Sequence, residues 1–181
     1  MRKPDWAALY ALAASQEGYF TTAQAAGAGY SRPLLDHHLK AARFLRVRRG
    51  IYRLRDFPSS DHEDLVVAWL WSDHQGVVSH ETALLLHGLS DVLPDRVDLT
   101  VPAAWRARRL IVPPLVCLHH ADVPDAERAW SGPVLVTSPL RTLADCVSGH
   151  VQPDLVAQAV RDGLRRGLFT RPEIDAAGLP T

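Results

Sequence analysis

The chain has 181 residues, 47 % apolar and 22 % charged, with 20 Lys/Arg against 20 Asp/Glu, a composition that suits globular cores and argues against a disordered chain. No apolar run approaches the roughly 20 residues needed to span a bilayer, and two cysteines, Cys117 and Cys146, are too few for a disulfide framework.

The N-terminal "MRKPDWAALYALAASQEG" combines basic and apolar residues but is interrupted by Asp5, Gln16 and Glu17. Trp6, Leu9, Tyr10, Leu12 and Ala13 follow helical spacing, so an amphipathic helix is expected here and not an export signal. The cytoplasm is then the expected compartment. Gly18 suits a helix end. Thr21 with Gln24 has the spacing of a capping box for a second helix, which Gly27 and Gly29 keep short. Ser31 and Pro33 mark the start of a third, with Leu35, Leu39 and Ala42 as its apolar stripe. Asp36, His37 and Lys40 fall opposite that stripe, with Arg32 and Arg43 on the flank.

The period then changes. "FLRVRRGIYRLR" sets Leu45 and Val47 before a turn and Ile51 to Leu54 after it, and Gly50 supplies the positive φ of a short hairpin loop. Three short helices followed by a two-stranded ribbon make a winged helix-turn-helix. Charge is concentrated there: Ser31–Arg55 holds eight Lys/Arg and one Asp, +7, while the rest of the chain holds 12 Lys/Arg and 19 Asp/Glu, −7. Charge alone does not separate a nucleic-acid contact from a solvated face, but such a module uses this helix and hairpin tip to touch DNA.

Beyond Phe57-Pro58-Ser59-Ser60 a second domain is expected. Helices are predicted over Asp61–His74 with Asp61 capping, after Ser79 ("HETALLLHGLS"), from Ser138-Pro139 to about Val147, over Pro153–Gly167 and over Arg171–Ala177. Strands are predicted at Val77-Val78, Arg96–Val101, Leu115–His119 and Pro133–Thr137. The fold class is thus α+β: residues 1–58 a winged helix-turn-helix, residues 59–181 an α+β domain with a small mixed sheet.

Four segments, "GYFTTAQA", "LRVRRGIYRL", "SHETALLLHGLSDVLP" and "VTSPLRTLADC", together resemble the AbiEi-type antitoxins of type IV toxin–antitoxin systems over nearly the whole chain. The resemblance implies an N-terminal winged helix that binds operator DNA and represses its own operon. It also implies a C-terminal domain that protects against a nucleotidyltransferase-like toxin. Similar "VTSPLRTLADC…LRRGL" segments precede a restriction-like nuclease domain in related proteins, but no Asp…Glu-x-Lys arrangement follows here.

Other motifs are weaker. His80, Glu81 and His87 fail the H-E-x-x-H pattern, because Leu84 stands where the second histidine belongs. Cys117 and His119 point to one side of a strand, two ligands where a structural zinc needs four. Ser138 and Asp145 lack a nucleophile elbow, and Ser138 reads as a helix cap. Arg141 and Asp145 are spaced i, i+4 for a pair. No catalytic residue, cofactor or metal site is therefore expected.

The reading is a DNA-binding antitoxin and autorepressor. Its base readers are Arg32, Asp36, His37 and Lys40; Arg43, Arg46, Arg48, Arg49 and Arg53 meet phosphate or the minor groove. Its partners are double-stranded operator DNA and a cognate toxin, with no membrane. The sequence is compatible with a monomer that pairs on inverted repeats. The rival readings are a winged-helix regulator with an effector-binding C-terminal domain and a nucleic-acid-processing enzyme.

Overall fold

Local signals in the first fifty residues become elements in the computed structural model, which describes residues 3–180. Asp5 opens α1 (Trp6–Ala14) by accepting the Ala8 N–H at 2.9 Å. After β1 (Tyr19–Thr21), the capping box starts α2 (Thr22–Gly27): Thr21 Oγ1 accepts the Gln24 N–H at 3.2 Å, and Gln24 Oε1 accepts the Thr21 N–H at 2.8 Å. Pro33 lies in the first turn of α3 (Arg32–Lys40), and Ser31 holds the N-cap position without a side-chain bond. The hairpin is β2 (Phe44–Arg48) and β3 (Ile51–Leu54), with Gly50 between them at φ 82°. A side chain is disfavoured at such an angle.

These strands form an antiparallel sheet in the order β1-β3-β2. Sequence alone missed β1, which is three residues long and pairs Tyr19 with Arg53 and Thr21 with Ile51. One sheet face is aromatic. Phe20 meets Phe44 edge-on at 5.0 Å and stacks on Tyr52 at 5.7 Å, against Leu9, Ala13, Ala25 and Leu35 from the three helices. Burying side chains of this size contributes roughly 1.5–3 kcal/mol each.

The chain separates into two units after His74. The expected boundary at 58/59 therefore lies inside the first unit, and α4 (Glu63–Trp71) belongs to the winged helix. The reason is chemical. Glu63 accepts a hydrogen bond from the Tyr19 hydroxyl at 2.8 Å and from Arg53 Nη2 at 3.0 Å. Arg53 also donates to the carbonyls of Phe57 and Pro58 at 2.9 and 3.0 Å, and is only 8 % exposed. Burial alone would raise the Glu63 carboxyl. The Tyr19 hydroxyl, the Arg53 charge and the Ser60 N–H instead hold it below its ordinary value. Asp61 does not cap α4; His62 occupies that position, also without a side-chain bond.

In the second unit, β4 (Val77–Val78), α5 (His80–His87), β5 (Val97–Val101), β6 (Val116–His120), β7 (Arg128–Ser131) and β8 (Val134–Thr137) precede α6 (Pro139–Ser148), α7 (Pro153–Arg166) and α8 (Arg171–Ala176). The sheet is mixed, as expected, in the order β6-β5-β4-β8-β7, with β5–β6 and β4–β8 parallel. Leu84, Leu89, Leu143, Cys146, Val156, Val160 and Ile174 form its core with the helices. Phe169 lies so close over α7 that a Cβ on Gly163 would come within 2.0 Å of its ring. Ser138 Oγ accepts the Arg141 N–H at 3.4 Å, capping α6.

Arg53→Ala should destabilise the first unit by about 1.5–3 kcal/mol, the cost of removing a hydrogen-bonded charged group from a partly buried site. Denaturant unfolding followed by tryptophan fluorescence measures this. The Glu63 carboxyl is held low in the fold. Its contribution is therefore full above the unfolded carboxylate pKa of ~4.3 and lost as pH falls through the folded value. The loss of stability on acidification should be smaller in Glu63→Gln.

Candidate nucleic-acid interface

Helical geometry divides α3 cleanly. Leu35 is buried, Leu34, His38 and Leu39 are half-buried, and Arg32, Asp36, His37 and Lys40 are exposed together on the opposite face. The "DHH" run is thereby resolved. His37 faces solvent, while His38 packs on Phe44 at 4.8 Å between ring centroids and beside Tyr30 at 5.6 Å. Burial first, then the charges of Arg43 and His37, holds the His38 imidazole below its usual pKa. At neutral pH it is an uncharged part of the helix packing.

The hairpin presents its arginines less uniformly than its sequence suggests. Arg46 pairs with Tyr52, but Arg48 pairs with Ile51, so the ladder slips by one residue at Val47. Arg46 and Arg48 are two apart and would share a face in a regular strand; the bulge puts them on opposite faces of the ribbon. A bulge re-aims side chains in this way and strengthens local twist. Arg49 is exposed at the tip, Arg48 is half-buried, and Arg43 and Arg46 are exposed. β2 is an edge strand and also exposes Leu45 and Val47.

Of the nine candidates, Arg53 stands apart. Its guanidinium is used inside the unit by Glu63 and two carbonyls and cannot reach a phosphate. The sequence signal that could have found this is the acidic helix start at Glu63-Asp64, which needs a basic partner on the sheet. Sequence reasoning also omitted Arg55. It is exposed, and its N–H pairs with the Arg43 carbonyl at 3.1 Å, so both arginines emerge at one end of the ribbon. They border a cavity of about 560 Å³ walled by Trp6, Tyr10, Tyr30 and Phe57.

The C-terminal unit carries a different polar cluster. Ser79 Oγ does not cap α5; it lies 2.7 Å from Thr100 Oγ1 and 2.9 Å from His80 Nδ1. The His80 ring stacks on that of His119 at 3.6 Å, and His119 Nε2 lies 2.8 Å from Asp98 Oδ1. Burial, then the charge of His119, lowers the His80 pKa to about 4. His87 goes elsewhere, its Nε2 donating to the Thr137 carbonyl at 2.7 Å. Arg141 pairs with Asp145 at 2.8 Å, as the spacing suggested, and also with Glu127. None of these groups forms a nucleophile–base pair open to solvent: Ser79 is wholly buried, and Ser138 caps α6.

Among the described residues, no helix is long and apolar enough to cross a membrane. No curated protein matches the chain. The crystal structure of the RV2827C protein from Mycobacterium tuberculosis is similar in fold, with 20 % sequence identity and a TM-score of 0.53, over 99 % of this chain and 79 % of that one. Residues 8–55, from α1 through the end of the hairpin, match the family model described as the AbiEi antitoxin transcriptional regulator. The order helix, strand, helix, helix and hairpin over this segment is thus similar to that of the AbiEi antitoxin transcriptional regulators.

Proposed function

We propose that the protein represses its own operon by inserting α3 into the major groove of operator DNA, and that its C-terminal unit counteracts a nucleotidyltransferase-like toxin. The observation that carries the DNA half is the solvent-facing stripe of Arg32, Asp36, His37 and Lys40, flanked by exposed arginines just after α3 and on the hairpin. Side chains on such a stripe reach base edges, while Arg43, Arg46, Arg48 and Arg49 neutralise phosphate on either side. Arg53 leaves the set, and Arg55 joins Arg43. The toxin-directed half rests on the similarity of residues 8–55 to that antitoxin family. Pairing of two copies on an inverted repeat would double the number of arginines that meet the duplex, and the cytoplasm is where such an operator lies.

The reading gives a clear separation of roles. Arg48→Ala combined with Arg49→Ala should weaken binding to all DNA sequences about equally. The slope of log K against log salt should fall by ~0.9 for each phosphate that the variant no longer neutralises. Fluorescence anisotropy across a salt series measures it, and an unchanged slope removes the hairpin from the interface. In cells, the same full-length variant should lose promoter repression yet still rescue growth when co-expressed with the cognate toxin. Rescue that depends on the arginines would mean that the two activities are one. A fragment test must cut after His74, because a cut at 58/59 takes Glu63 away from Tyr19 and Arg53.

His37→Ala and Lys40→Ala should act differently. Each should change preference at individual operator positions, costing about 1–3 kcal/mol at one base pair and little elsewhere. Competition against a set of single-base operator variants reads this directly. A flat loss across all variants would assign these residues to the backbone.

A further inference from the structure

We propose that Asp98, Cys117 and His119 bind one Zn²⁺ ion at the edge of the C-terminal sheet. Spacing along the chain gave only Cys117 and His119; the third group comes from strand register. β5 and β6 are parallel, with Asp98 opposite Cys117 and Thr100 opposite His119. Because side chains alternate along a strand, Asp98, Cys117 and His119 emerge on one face. A carboxylate oxygen, the Sγ and an imidazole nitrogen all lie within 4.8 Å of one another.

The donor set selects the metal. One sulfur, one nitrogen and one oxygen suit borderline-soft, tetrahedral Zn²⁺, whereas Mg²⁺ and Ca²⁺ take oxygen alone. The spacing is also close to what zinc needs. Two ligands at ~2.1 Å from a tetrahedral ion lie roughly 3.4 Å apart, and His119 Nε2 and Asp98 Oδ1 are already 2.8 Å apart. Opening that pair by a fraction of an ångström and drawing in the Cys117 Sγ, already within 4.8 Å of both donors, completes three ligands. All three residues are partly exposed, which leaves an entry path and a fourth position for water.

The surroundings hold the ligands in orientation. Asp98 Oδ2 accepts from the Thr82 N–H and hydroxyl, each at 3.3 Å, which leaves Oδ1 directed at His119. The His119 ring is held by its stack on His80, and His80 by Ser79. Metal sites depend on such outer partners for ring and carboxylate orientation. Bound there, the ion would clip β6, one of the two terminal strands of the sheet, to β5.

The test uses the full-length protein, freed of metal by a chelator, with Co²⁺ as a spectroscopic probe and Zn²⁺ as competitor. One Co²⁺ per chain should bind with a thiolate-to-metal charge-transfer band in the near ultraviolet, and one equivalent of Zn²⁺ should abolish it. Cys117→Ser should lose the band. It should also weaken Zn²⁺ binding by more than the ~10–100-fold expected from losing an outer partner. Thr82→Val should fall within that ~10–100-fold range and keep the band. Cys146→Ala should keep both, since Cys146 is buried in the core and outside the cluster. Circular dichroism confirms that each variant is folded. Absence of stoichiometric binding, or a band that survives Cys117→Ser or disappears in Cys146→Ala, overturns the proposal.

Discussion

A single carboxylate organises the N-terminal unit. A three-stranded sheet has two faces, and α1 to α3 can cover only one. The second face carries Tyr19 and Arg53, a phenol and a guanidinium, which a purely apolar helix could not cover without orphaning both. Glu63 receives both, and through it α4 closes the sheet. Breaking one partner of such a group leaves the others desolvated and unpaired. With β1 and β3 held from both sides, the outer stripe of α3 and much of β2 remain exposed.

The same economy explains the charge distribution. Eight Lys/Arg lie between Ser31 and Arg55, and the fold uses one of them internally. The remaining cations are exposed or half-buried, and the bulge at Val47 spreads those of β2 over both faces of the ribbon. In the proposed function, a ribbon lying along a duplex would meet phosphates on either side of a groove, and arginines on both faces would extend that contact beyond one strand of DNA.

Much of this was legible in the sequence, for identifiable reasons. The Thr21–Gln24 box, Pro33 and Gly50 are local signals whose physics is complete within four residues, and each marked its element correctly. The stripe opposite Leu35 followed from helix period alone. What could not be read was what depends on pairing between distant segments. β1 has three residues and exists only because β3 lies beside it. Asp61–His74 had the composition of a new domain's first helix, and contacts between distant segments, chiefly Glu63 with Arg53 and Tyr19, assign it to the winged helix. Arg53 looked like its neighbours because alternation along β3 becomes meaningful only once the second face has a cover. Asp98 was invisible beside Cys117 and His119 because it lies nineteen residues before Cys117 in the chain and directly across from it in the sheet.

The proposed function turns on whether α3 reads a specific DNA sequence. The most direct measurement compares the affinity of the full-length protein for the DNA upstream of its own gene with its affinity for a shuffled duplex of the same length and composition, at one physiological salt concentration. A sequence-reading helix predicts a preference on the order of 10³-fold or more. Equal affinity for the two duplexes would reduce the winged helix to a nonspecific cationic surface and rule out sequence reading by α3.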